Sequence, residues 1–201
     1  LANAEKAGVT NDINHERMQE RRIQAELGNR PMLPKAGDDP LLFSQVQSQY
    51  NAHRKAYLDS LDQERSLLLK AEHEHHGAGQ VMNKFEQTLP SYQRSAEAYR
   101  RLEQEGFFSS LASAEKQREA TERYKDLEAQ RSTVAAMDAT IAAQKKRINQ
   151  LKSAYQSELQ TELAQIRAKI SQLQPNLDKS LYREGLMELK APQDGVIKDL
   201  S

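Results

Sequence analysis

His73, Glu74, His75 and His76 form the densest group of potential metal ligands in the chain, with Glu72 just before them. On a helix, His73 and His76 lie about one turn apart and Glu72 lies one turn before His76. The position one turn before His73 is Leu69, and no second cluster offers the remaining ligands that a closed zinc site requires. His75 falls in an apolar seam, which predicts packing instead of ligation. Acid and base side chains abound, yet none is tied to a Gly-rich loop, a nucleophile elbow or a concave pocket. They are expected to form a solvated face with helix-surface ion pairs. No catalytic residue, cofactor or metal is assigned, and the expectation is that the protein is not an enzyme.

The elements that carry these residues follow from composition and periodicity. The 201 residues are 29% charged, 37% hydrophobic and 5% aromatic, without Trp. That is too polar for one thick core, but the apolar residues recur too regularly for disorder. Lys plus Arg equals Asp plus Glu at 29 each, so no global field points to nucleic acid, and a protein partner is implied. The absence of Cys excludes a disulfide framework and is compatible with an oxidising compartment. No run approaches the ~18 to 20 apolar residues of a membrane span. Leu1 is not a start Met, so the chain reads as a fragment with its targeting information upstream.

Punctuation divides the sequence into three helices. The first is predicted over about Asp12 to Leu27, stopped by Gly28 and a linker with Pro31, Pro34 and Pro40, and preceded by a base segment, 1–11. Asp39 as N-cap and Pro40 at the first turn start the second, which runs to about Glu105. Gly106 ends it, and Ser109 or Ser110 caps a third that continues to about Tyr182, with Pro175 kinking it or stopping it early. Pro90 should bend the second helix. Glycines at 77 and 79 weaken that helix by about 1 kcal/mol each, marking a flexible or closely packed point.

In the second helix Leu61, Leu68, His75, Met82, Leu89 and Ala96 keep one heptad position. Phe43, Tyr50, Tyr57, Ala71, Ala78, Phe85, Tyr92 and Tyr99 keep the other, with Glu64 the exception. In the third, Leu127, Val134, Ile141, Ile148 and Tyr155 recur by seven, a stutter of four follows, and Leu159, Ile166 and Leu173 resume. The fold class predicted is mainly α: a long antiparallel coiled-coil hairpin, with helices one and two roughly collinear and helix two paired with helix three. At 1.5 Å per residue the two long helices would reach roughly 100 and 110 Å. The hairpin domain spans 12–185, with a linker at 28–40 and a tip at 106–109.

Residues 186–201, "LMELKAPQDGVIKDL" and Ser201, break the helical period. They alternate apolar and polar around a Pro-x-x-Gly turn, as short strands do. The pattern Leu189, Ala191, Pro192, Asp194, Gly195, Val196, Ile197, Leu200 after a long helical hairpin resembles the periplasmic adaptor or membrane fusion proteins. In those proteins it opens the second half of a lipoyl-like β-domain into which the hairpin is inserted. The turn "EGFFSS" and the preceding "LPSYQRSAEAYRRLEQ" look most like the haemolysin-D-type branch of type I secretion.

That resemblance implies a periplasmic subunit of a Gram-negative bacterium, anchored in the inner membrane by an upstream span. It would link an inner-membrane ABC transporter to a TolC-like outer-membrane channel and would assemble as a hexameric homo-oligomer. The copies would together wall a conduit for a secreted polypeptide cargo, with no nucleic acid involved. It also implies the channel contact at the hairpin tip: Leu102, Gly106, Phe107, Phe108 and Ser109. The wider family places an Arg, a Leu and a Ser there, spaced by four and then seven. Leu102 and Ser109 match, but Ala98 stands at the Arg position, with Arg94 and Arg101 nearby. Phe107 and Phe108 could equally plug the end of a monomeric coiled coil. A drug-efflux adaptor and a structural coiled-coil tether remain the alternatives.

Overall fold

The computed structural model describes residues 2–187, all but the connections of which are helical. The element order is α1 (Ala2–Leu27), α2 (Pro40–Gln104) and α3 (Ser110–Met187). The strand-like segment with Leu189, Ala191, Pro192, Asp194, Gly195 and Val196 lies outside the described residues. No described helix is long and apolar enough to cross a membrane.

The helix ends are set by local chemistry. Asp39 caps α2: its Oδ1 accepts from the backbone N–H of Leu41 at 2.8 Å and of Leu42 at 3.3 Å, with Pro40 at the first helical position. α1 ends at Leu27, as the sequence predicts, but the residue that terminates it differs. Asn29, not Gly28, takes the left-handed conformation, with φ of 49°. The Arg30 N–H reaches the Ala25 carbonyl and the Asn29 N–H reaches that of Glu26, closing a Schellman motif one residue later than expected. α1 also begins at Ala2, about ten residues before the predicted Asp12, so residues before 12 are helix as well. A side-chain contact of Lys6 with Glu184 supports that early part. Neither proline stops its helix: α2 continues through Pro90, and α3 through Pro175 to Met187, past the predicted Tyr182. A proline removes one backbone bond of many, and half-buried Leu173 and Leu177 flank Pro175 on the packed face.

The chain forms two compact units, residues up to Leu58 with those from Ser153 onwards, and Asp59–Lys152. The first is a three-helix unit. There α1 lies antiparallel to α3, with Ile23, Leu159 and Ile166 buried between them and Leu27, Tyr155, Leu163 and Ile170 packed around. α1 and the start of α2 run in the same direction but side by side, with Gln19 bonded to Gln49 at 2.7 Å and His53 to Glu26 at 2.6 Å. The expectation of roughly collinear helices is corrected accordingly. The linker folds back along α1, held where Arg21 donates to Asp38 Oδ1 (2.6 Å) and to the Leu33 carbonyl (2.9 Å), so Pro40 starts beside α1. This return buries Met18, Met32, Val46 and Tyr50 in a second cluster.

The second is a two-helix unit in which α2 and α3 pair antiparallel. The contacts of Tyr92 with Arg123, Glu86 with Arg131 and Glu64 with Arg147 descend one helix as they climb the other. Leu61, Ala78, Leu89, Ala96, Ala120, Leu127 and Ile148 form its buried seam. Every predicted heptad residue of α2 in this unit is buried or half-buried, including Glu64 and His75.

Candidate functional site: the hairpin turn and a buried polar junction

The turn between α2 and α3 is built by backbone geometry. Gly106, with φ of 82°, occupies the left-handed position at the end of α2. The Gly106 N–H bonds the Glu103 carbonyl at 3.0 Å and the Phe107 N–H bonds that of Leu102 at 2.9 Å, a second Schellman motif. Ser109 then caps α3: its Oγ accepts from the Ala112 N–H at 3.3 Å and its carbonyl accepts from Ser113. These bonds reverse the chain between the two helices and give partners to groups at both helix ends.

The turn presents apolar surface. Phe107 is 74% exposed and Leu111 73%. Phe108 behaves differently, its ring tilted against Tyr99 with centroids 4.9 Å apart, and Lys116 Nζ stands 5.9 Å above the same Tyr99 ring. Phe108, 44% exposed, thus keeps one side against Tyr99, while Phe107 projects further into solvent. Leu102 is half-buried, and Gly106 and Ser109 are exposed. Leu111 was not singled out from the sequence, although its place one residue inside a Ser-capped helix beside two phenylalanines is a signal for it. Ala98, at the position of the family's Arg, is exposed; Arg101 pairs with Glu97 at 2.6 Å and Arg94 is exposed nearby.

A second concentration of chemistry lies in the three-helix unit. The Glu26 side chain has no exposure and accepts three bonds, from Arg22 Nη1 (2.7 Å), His53 Nδ1 (2.6 Å) and the Tyr155 hydroxyl (2.6 Å). Three helices therefore meet on one carboxylate. Arg22, also buried, reaches Gln19 at 2.8 Å and Glu162 as well. Burial, together with the bond to Glu26, pushes the Tyr155 phenol up from its ordinary value, so it is a donor across the physiological range. Tyr57 stacks on Tyr155 at 3.8 Å. A groove of about 630 Å³ alongside is lined by Arg22, His53 and Glu162 of this network and by His15, Glu16 and Lys169. No buried side-chain polar atom among the described residues lacks a partner. The buried part of the cluster is thus internally satisfied. Sequence reasoning missed it because Glu26, His53 and Tyr155 are far apart in the chain.

The histidines of the second helix do not converge. His73 and His76 are exposed, and His75 is half-buried with Nε2 3.0 Å from Asp138. No group of three or more potential ligands able to hold a metal occurs among the described residues.

The class these features define is a long helical hairpin with a capped turn. The sequence matches the family described as AprE, long alpha-helical hairpin, over residues 2–183. The chain belongs to that family. Among solved structures, the soluble domain of LipC, a membrane fusion protein of a type I secretion system, is similar with a TM-score of 0.87 at 18% identity, covering 96% of this chain and 95% of that one. No curated protein matches the chain.

Proposed function

We propose that the chain is the adaptor subunit of a type I secretion system, standing in the periplasm between an inner-membrane ABC transporter and a TolC-like outer-membrane channel. It acts as one of several identical copies around a polypeptide cargo. The family and the fold of a membrane fusion protein's soluble domain support this reading. The observation that carries the channel contact is the exposed apolar pair Phe107 and Leu111 on a turn held rigid by two caps. Large exposed apolar side chains at a solvent-facing turn are costly unless a partner covers them, and rigid anchors bind with little loss of conformational entropy. Leu102, Gly106, Phe108 and Ser109 shape and hold that surface. The work is mechanical and requires no catalytic group.

The test is the double substitution Phe107→Asp and Leu111→Asp, which puts two charges where apolar surface would be desolvated. Export of the cargo should be lost while helicity and the thermal midpoint stay within a few degrees of the parent. Undiminished export would remove the turn as the contact.

A further inference from the structure

Gly77 and Gly79 stand in the middle of a 65-residue helix. Neither has a positive φ, and a Cβ added to either would meet nothing within 4 Å. No turn and no close approach therefore explains them, which disposes of the tightly packed alternative. What remains is their effect on the helix itself: apart from proline, no residue stabilises helix less. A second feature acts at the same place. Gln130 on α3 donates its Nε2 to the backbone carbonyl of Ala78, between the two glycines, at 2.9 Å. That carbonyl already belongs to the helical ladder, and a side-chain donor inserted there offers it a substitute partner when the helical bond opens. The apolar seam is also thin here. His75 contacts Asp138 one turn earlier, Ala78 is small, and Met82 is only half-buried.

We propose that residues 77–82 of α2 are a built-in hinge, where the helix opens and bends while Gln130 holds the freed Ala78 carbonyl. On the adaptor reading, on which this use rests, the hinge lets the turn at 105–109 adjust as its partner engages. Segments with few apolar contacts and weak helix formers open at lower free energy than their neighbours. The hinge is thus a property of this chain's own residues, separate from the surface it serves.

The experiment combines amide hydrogen exchange on the whole chain with export in cells, for Gly77→Ala/Gly79→Ala. The comparison variant is Gly8→Ala on α1, whose added Cβ also meets nothing within 4 Å. In the parent, amides of 75–85 should exchange faster than those of the turns on either side. The double alanine variant should protect them roughly tenfold or more, as two removed glycine penalties imply. It should also raise the unfolding midpoint, yet lower export several-fold. Gly8→Ala should leave export unchanged. Equal protection of 75–85 and its flanks in the parent overturns the hinge outright. Raised protection with full export, in a system where Phe107→Asp/Leu111→Asp abolishes export, overturns its use while the adaptor reading stands. If neither Gly77→Ala/Gly79→Ala nor Phe107→Asp/Leu111→Asp affects export, the turn is not the contact, the use proposed for the hinge fails with it, and exchange alone decides the hinge.

Discussion

The three-helix unit buries charge, whereas the two-helix unit keeps charge at its edges. In the former, Arg22 and Glu26 side chains are 6% and 0% exposed and are joined to partners on all three helices. In the latter, ion pairs such as Arg131 with Glu86 and Lys145 with Glu72 sit in solvent, with both partners 40% exposed or more. Two helices alone enclose only a narrow stripe, so most charges beside it stay wet; Glu64, 14% exposed, is an exception that pairs with the largely exposed Arg147. A third helix closes the stripe and supplies the extra donors that a dry carboxylate needs. The difference teaches that buried polar residues join the apolar clusters in placing α1, while apolar periodicity dominates the pairing of α2 with α3.

The strongest way to break this contrast is to remove one carboxylate from each unit. Glu26→Ala leaves His53 and the Tyr155 hydroxyl without their acceptor in a buried site, and should cost about 3 to 5 kcal/mol. Glu64→Ala deletes bonds to Gln144 Nε2 (2.6 Å) and Arg147 Nε (3.0 Å) at the edge of the seam, with Arg147 largely exposed. About 1 kcal/mol or less is expected there. Urea unfolding of the two variants gives both numbers. Equal losses would mean that burial does not separate the units.

The contrast also explains what could be read from sequence. The seam of α2 was legible because Leu61, Met82, Leu89 and Ala96 recur by seven, and such spacing needs no knowledge of the partner helix. The turn was legible because Gly106 and Ser109 act through their own backbone and nearest neighbours. The side-by-side packing of α1 was not, since it depends on the linker folding back through Arg21 and Asp38, a pair 17 residues apart. Nor were Gln130 and Gln144 noticed, although each lies seven residues from Met137 on the packed face of α3. They are polar, and a search for apolar residues passes over them. The exposure of Phe107 against the packing of Phe108 was open in sequence, because only the chain's path decides which ring meets Tyr99.

A smaller effect sharpens the comparison at the helix ends. Both units close a helix with the same motif, one on Gly106 and the other on Asn29. Gly106→Ala introduces a Cβ that meets no neighbour, so its cost is the left-handed backbone alone, about 1 kcal/mol. Asn29→Gly relieves that strain but frees the unfolded chain and deletes the exposed bond from Arg54 Nη2 to Asn29 Oδ1, and should cost about 1 kcal/mol or less. Thermal unfolding of both variants checks the asymmetry. A loss above about 3 kcal/mol at Gly106 would show that the turn does more than reverse the chain.

The smallest effect concerns the linker that places α2 beside α1. The Arg21 guanidinium bonded to Asp38 holds that carboxyl below its usual value, with the Lys35 N–H at 2.7 Å adding to the effect. A folded-state value lowered below the unfolded one contributes stability that is present above about pH 4 and is lost as pH falls through the folded value. Between pH 5 and pH 2.5 the parent should therefore lose this contribution. Asp38→Asn, which cannot titrate, should be less stable at pH 7 and show a shallower acid decline over the same interval. The carboxyl is partly exposed, so the difference between the two slopes is modest and is best read from urea midpoints at closely spaced pH values. Identical slopes would mean that the Asp38 carboxylate does not help to hold the linker, leaving that to the Arg21 bond with the Leu33 carbonyl and to Met32 in its apolar cluster.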